Sequence, residues 1–353
     1  MSESVSQAPQ TPETPDSPAE TQDMSVDLTT GELTESVAAA SSTVTASQQL
    51  VAPIAGASAG LAGLAAGGAA GRRKRGDFLY YGLRNKKLVF GIGLELLIVL
   101  FAIIGPMIAK FPAGSLTGAQ LRHPNGTYWL GTDSLGRDIF SELASGTRES
   151  YLVGALGAVS ASIVGMALGF AAGWRGGFLD EVLQMITNII VMIPALVLLV
   201  VIGSYLNSRS VLFEGIFIGL TTWPWVARAV RAQTFSLRSR EFVEMAKLSG
   251  KRPLEIIVRE IAPNMASYLF LVIVLLFGSS MLLAASYDFL GLGPTGVVSL
   301  GSMMNQAQTE AALLYREWWW FIPPGVVLTA MVAALLVANV GLDEVFNPKL
   351  RDQ

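Results

Sequence analysis

Six runs of roughly 20 apolar residues recur along this 353-residue chain and constrain its fold more than any other feature. They lie at Leu88–Ala109, Ser150–Gly173, Val182–Leu206, Val211–Ala227, Met265–Ala285 and Trp318–Val340. A hydrocarbon core about 30 Å thick offers no water to backbone N–H and C=O groups. A segment of this length therefore crosses it as an α-helix, which satisfies its own backbone. The sequence thus predicts an all-α integral membrane protein with six transmembrane helices. The low share of charged residues, 14%, fits that class. The fourth run is the shortest, and Glu214 places a carboxylate near one end of it.

Charge fixes the orientation of such a bundle. The net charge of −3 averages two unlike parts: residues 1–50 hold eight acids and no Lys or Arg, leaving 19 acids against 24 bases in the rest. Residues 1–71 are predicted to be a disordered acidic tail and an Ala/Gly-rich linker, because they hold too little bulky apolar surface to offset ordering entropy. The basic run Arg72–Arg75 follows the small-residue stretch instead of preceding it, contrary to the order in a signal peptide. With the N-terminus cytoplasmic, inside connections carry 18 Lys and Arg and outside connections carry 6. The positive-inside rule then places both termini, and residues 241–264, in the cytoplasm.

Several chemistries are excluded by residue count. There is no cysteine and a single histidine, His123, so neither a thiolate site nor a histidine cluster can be built. No G-x-x-x-x-G-K-[ST] occurs, so the chain lacks a loop to cradle nucleotide phosphates. A G-x-S-x-G at Gly56–Gly60 has no preceding strand and carries no hydrolase reading. The chain is expected to be a non-catalytic protein that binds no cofactor or metal itself.

One segment is anomalous. "EFVEMAKLSGKRPLEIIVREIAPN", Glu241–Asn264, carries eight charges among 24 residues between two apolar runs. Gly250 is placed to end one helix and Pro253 to open another. Helical spacing puts Phe242, Ala246 and Ser249 on one side of the first, and Ile257 and Ile261 on one face of the second. Two short helices under the membrane read either as a solvated loop on the headgroups or as a docking element.

The pattern resembles the EAA loop of ABC-importer permeases. Glu244-Met245-Ala246 stands for its E-A-A, Gly250 falls at the required spacing, and Ala262-Pro263-Asn264 occupies the place of Leu-Pro-Asn. Elsewhere, "GTDSLGRDIFSELASGTRESYLVG" (Gly131–Gly154) is similar to the G-T-D-x-x-G-R-D … G-x-R-x-S segment of dipeptide/oligopeptide/nickel permeases of the C type. "FLGLG" at Phe289–Gly293, "LGSMMNQA" at Leu300–Ala307, "PPG" at Pro323–Gly325 and "NPK" at Asn347–Lys349 follow in that family's order. Asp288 stands where the family has serine, and Leu300 where it has tryptophan.

The resemblance covers roughly residues 78–353 and implies a type I ABC importer permease fold with a cytoplasmic coupling-helix loop at 241–264. It implies half of a heterodimeric pore in the cytoplasmic (inner) membrane of a prokaryote, partnered by a sister permease and an extracytoplasmic substrate-binding protein. Separate cytoplasmic ATPase subunits would hold ATP and magnesium. Glu241, Glu244, Ala246, Gly250, Pro263 and Asn264 are the coupling residues it implies. Peptides are the expected cargo, with oligosaccharides or nickel as alternatives. A self-sufficient secondary transporter is a different class, disfavoured because no internal repeat is visible. No nucleic-acid partner is expected.

The domain reading follows: 72–149 as a basic juxtamembrane segment, first transmembrane helix and external segment, 150–341 as the transmembrane domain, and 342–353 as a cytoplasmic C-terminus. Within it, Gly157, Ala161, Gly165, Gly169 and Gly173 form a smooth ridge four residues apart. Gly165, Gly169 and Gly173 are expected to admit a closely packed helix, including that of the sister permease. Pro194 and Pro224 are expected kinks. Glu95, Asn188, Ser279, Ser280, Asp288 and Asn305 are the polar groups available for a pathway or gate. For Glu95, a cargo role and a subunit contact are both open. Gly131–Asp133 and Gly136–Asp138 read as tight turns before a surface helix, and the connection Tyr287–Glu317 as a receptor-facing gate.

Overall fold

The computed structural model describes residues 81–205 and 209–346. The predicted tail and linker (1–71), the basic run at Arg72–Arg75 and the NPK motif lie outside those residues. The described residues are helical apart from connections, with one isolated bridge between Thr132 and Asp138. The helices are α1 (Lys86–Ile108), α2 (Ile139–Arg175), α3 (Gly177–Met192), α4 (Ala195–Tyr205), α5 (Val211–Leu237), α6 (Glu241–Leu248) and α7 (Pro253–Ile256). A π-helical turn (Ile257–Ile261) leads to α8 (Ala262–Asn264), followed by α9 (Ala266–Phe289), α10 (Leu300–Thr309) and α11 (Trp318–Phe346).

Four of these helices, α1, α2, α9 and α11, are long and apolar enough to cross a membrane. The third expected span is not one straight helix. α3 and α4 meet at an angle of 83°, and they count as a fifth span only when the bent pair is taken as one. Pro194 causes the break: it disfavours the helical region for Ile193, which is extended at φ −88°, ψ 124°. α5 is the sixth element and is long, at 27 residues. It falls short in apolar character because Glu214, Thr221, Thr222, Arg228 and Arg231 interrupt it, so it needs protein neighbours rather than lipid. Pro224 sits within α5 without ending it.

α2 begins at Ile139, well before the Ser150 that hydropathy predicts. Asp138 starts it: its carboxylate accepts from Ser141 N–H at 3.0 Å, a cap that stabilises a helix by about 1 kcal/mol. At 1.5 Å per residue, 37 residues span about 56 Å, nearly twice the hydrocarbon core. The extra turns are polar but not a surface helix. Ser141, Glu142 and Thr147 are buried in protein, so apolar content alone cannot locate this end.

Two apolar clusters organise the bundle. One, at the end expected to be external, gathers Ile139 and Leu143 of α2, Met281 of α9, Leu300 and Met303 of α10 and Trp319 and Trp320 around α11. The other, at the opposite end, joins Ala158 and Ala161 of α2, Trp223, Val226 and Val230 of α5, Val243 and Ala246 of α6, and Ile256 and Ile261. Leu96, Leu97 and Met107 of α1 point outward and are exposed. Lys87 Nζ meets Glu344 Oε1 at 2.5 Å and closes the start of α1 on the end of α11.

The glycine ridge of α2 is filled by α5 of the same chain. A Cβ on Gly165 would lie 2.5 Å from Val226 Cβ, on Gly169 2.7 Å from both Ala227 O and Val230 Cβ, and on Gly173 2.7 Å from Thr234 Cβ. The expected close approach to a sister permease at this ridge is therefore corrected: the neighbour is α5, and the ridge is spent within the subunit.

Candidate functional site

The 241–264 protrusion is built from a bend and two short helices. Gly250 has φ +73°, in the left-handed region that glycine enters without a Cβ penalty. Its N–H donates to Lys247 O at 3.0 Å, and Lys251 N–H donates to Ala246 O at 3.3 Å. These two bonds satisfy carbonyls that the end of α6 would otherwise leave open. Pro253 then occupies the first turn of α7, where its missing N–H costs nothing.

The faces differ from those expected at 3.6-residue spacing. In α6, Val243 and Ala246 are buried while Ser249 is exposed. At the end of α7 and beyond it, Ile256 and Ile261 are buried, five residues apart. The π-helical turn explains the second change, because Ala262 N–H bonds to Ile257 O and i→i+5 bonding adds a residue to the turn. Both buried pairs enter the cluster beneath α2 and α5. The protrusion is therefore packed onto the helix bundle and does not hang from it.

Its outer surface carries the charges and unexpected apolar side chains. Glu241 and Glu244 are exposed, as are Gly250, Pro263 and Asn264. Met245, Leu248, Leu254 and Val258 are also exposed, Leu248 at 88%. Lys251 pairs with Glu260 at 2.5 Å and Arg259 with Glu255 at 2.7 Å, and the amide of Asn264 donates to Glu260 O at 2.6 Å. Of the six residues singled out for coupling, five are on the exterior. Ala246 instead anchors α6 at 5% exposure.

At the same end, Arg231 of α5 grips Asp180 of α3 through two hydrogen bonds. Arg228 Nη2 donates to Asn188 Oδ1 at 2.8 Å. Arg238 donates to Trp174 O at 3.1 Å, and Lys247 lies over the Trp174 ring. The bent span, α2, α5 and the protrusion are thus tied to one another by cations.

The opposite end is a polar lattice. Arg137 meets Asp133 at 2.5 Å, Glu142 at 3.2 Å and Gln306 at 2.5 Å. Asp133 and Glu142 have fully buried side chains, so the turn's carboxylates are structural. The Trp319 ring packs at a tilt against His123, with centroids 4.2 Å apart, and its Nε1–H donates to Thr132 O at 3.4 Å. Burial pushes the Glu317 carboxyl above its ordinary range, and neighbouring His123 opposes that rise. The connection Tyr287–Glu317 contains α10, whose Leu300, Met303 and Ala307 are buried against α2, α9 and α11.

Among the described residues, no hydrogen bond links any two of the six pathway candidates. Glu95 faces Tyr151 of α2. Asn188 is held by Arg228. Exposed Ser279 bonds back to Leu276 O, and Ser280 is buried against Gly157. Asn305 Nδ2 donates to Phe289 O at 2.6 Å. Asp288 accepts from Ser299 Oγ. Sequence reasoning missed the partners Tyr151, Arg228 and Ser299, because each belongs to a different helix from the residue it meets or caps one. Glu214 was visible as an acid in an apolar run, but nothing in the sequence linked it to Asp288.

Residues 165–352, which include the whole protrusion, match the family described as binding-protein-dependent transport system inner membrane component. This chain belongs to that family. It is an ABC importer permease of the peptide family and a transport subunit. It is 31% identical over 275 residues to the oligopeptide transport system permease protein OppC of Bacillus subtilis (strain 168), covering 76% of this chain and 87% of that one. A putative peptide transport system permease protein of Brucella abortus biovar 1 is 30% identical, with 76% and 90% covered. OppC of Mycobacterium tuberculosis (strain ATCC 25618 / H37Rv) is 29% identical, with 76% and 92% covered. The permease thus aligns with nearly the full length of these relatives.

Proposed function

We propose that this permease moves peptides inward across the cytoplasmic membrane of a prokaryote, as one half of a heterodimeric pore with a sister permease. It receives cargo from an extracytoplasmic binding protein and uses ATP and magnesium held by separate cytoplasmic ATPase subunits. Both termini are cytoplasmic in this reading. The peptide assignment is supported by the names of the relatives, and the orientation by the Lys and Arg distribution.

The observation that carries the ATPase role is the exterior of the protrusion. Met245, Leu248, Leu254 and Val258 are exposed beside Glu241 and Glu244. Large apolar side chains rimmed by charge mark a protein interface more often than a free surface. Their supports, Val243, Ala246, Ile256 and Ile261, are locked into the bundle near the end of α5. A push on the protrusion is therefore transmitted to α5, and from Arg231 and Arg228 to the bent span at Asp180 and Asn188. Pro263 and Asn264 stand where the protrusion re-enters the bundle.

Affinity purification of the tagged chain from its native membrane tests the reading. The expected result is a complex containing a second permease and ATPases, which after reconstitution with its binding protein accumulates labelled peptide only with ATP. A chain that purifies alone and accumulates peptide down an ion gradient without ATP is a secondary transporter, and contradicts it.

A further inference from the structure

Glu214, in the first turn of α5, and Asp288, near the end of α9, face each other at hydrogen-bonding range at the end expected to be external. They are 6% and 2% exposed. Ser299 Oγ, the N-cap of α10, donates to Asp288 Oδ2. The remaining three oxygens, Asp288 Oδ1 and both of Glu214, have no donor. Glu214 also lines a cavity of about 20 Å³, enough for one water, between α4, α5 and α9.

Among the described residues no cation bonds to either carboxylate, although Arg209 lines the same cavity as Glu214. Arg209, ahead of α5, donates to Gly291 O at 3.1 Å. Tyr287 of α9 is the other titratable neighbour, and its hydroxyl lies over Gly203 of α4. α4 otherwise contributes Leu199 and Ile202, and Val153 of α2 closes the same cluster. No group of three acids or histidines able to hold a metal occurs among the described residues. Ionising both of two buried carboxylates in contact is costly, whereas one proton between them supplies a missing hydrogen bond and removes one charge.

We propose that Glu214 and Asp288 form a binding site for one exchangeable proton, shared between the two carboxyls, which holds the external ends of α5, α9 and α10 together. With the proton bound, Glu214, Asp288 and Ser299 make a continuous chain of hydrogen bonds across three elements. Its loss at alkaline pH leaves two adjacent buried anions, whose repulsion parts α5 from α9. Asp288 stands where the pattern of the resembling family carries serine. The site goes beyond the import reading and does not depend on cargo or direction.

The test is infrared difference spectroscopy of the full-length chain, in its complex and in lipid bilayer discs, titrated from acidic to alkaline pH. Wild type should show at neutral pH a protonated-carboxyl C=O band that shifts in D₂O and vanishes as pH rises. Its thermal midpoint should fall as pH rises from the ordinary carboxyl range and level off where the band vanishes, because over that window the folded state holds a proton that the unfolded chain has released. Glu214→Gln should lose the neutral-pH band and flatten the midpoint profile. Asp288→Ser, which restores the family residue, should move the band as Glu214 loses its carboxyl partner. A wild type with no such band at neutral pH overturns the proposal. So does a band that either variant leaves unchanged.

Discussion

Arg137 Nη2 donates to Gln306 Oε1 at 2.5 Å and ties the turn before α2 to α10. The same guanidinium neutralises Asp133 and Glu142, whose side chains are wholly buried. Removing one partner of a buried pair leaves an uncompensated charge and costs about 3–5 kcal/mol. Arg137→Ala is therefore expected to lower the thermal midpoint of the detergent-solubilised protein steeply. Arg137→Lys should recover only part of the loss, because a single ammonium cannot serve three partners in a planar fork. A midpoint unchanged in both variants would mean that this lattice does not hold the external end.

Gly169 lies under α5, where a side chain has no room. Gly169→Leu should separate α2 from α5 within one subunit. The chain expressed without partners should then lose protease resistance, and Gly169→Ala should lose less. An isolated chain that remains as resistant as wild type, with failure seen only on assembly, would place a sister subunit at this ridge after all.

Gly250 is different, because open space surrounds its missing Cβ and only its φ of +73° resists a side chain. Gly250→Leu should cost about 1 kcal/mol or more locally, too little to unfold the bundle. The expected phenotype is retained ATPase co-purification with weakened peptide-stimulated hydrolysis, measured in the reconstituted complex. Equal loss of binding and stimulation would show that the bend shapes the docking surface itself.

The contrast between these glycines shows what the sequence made legible. Gly169 was readable through its four-residue spacing, and Gly250 through Pro253 three residues later. The helix that fills the Gly169 ridge was not readable, because spacing names a face and not its neighbour. The long apolar runs located α1, α9 and α11, and Pro194 marked the break in the third span. The start of α2 escaped because polar Ser141, Glu142 and Thr147 are buried in protein rather than lipid. The inward face of the protrusion's second half escaped because a π-helical turn replaces a 3.6-residue period with a longer one between Ile256 and Ile261. The Glu214–Asp288 contact joins residues of different helices, and no local rule connects them.

The central claim is that the 241–264 protrusion is cytoplasmic and is the surface on which ATPases act. Ala246, though part of the EAA-like pattern, is too buried to report on this, whereas Leu248 is 88% exposed and Leu135, at the opposite end, is 53% exposed. The chain has no cysteine to interfere. The decisive measurement is therefore labelling of Leu248→Cys and Leu135→Cys by a membrane-impermeant maleimide, in intact cells and in inverted vesicles, with and without the ATPase subunits. The account predicts that Leu248→Cys reacts only in inverted vesicles and is protected when ATPases are present, while Leu135→Cys reacts only in intact cells. Labelling of Leu248→Cys from outside would contradict the topology, and equal labelling there with ATPases bound would contradict the docking surface.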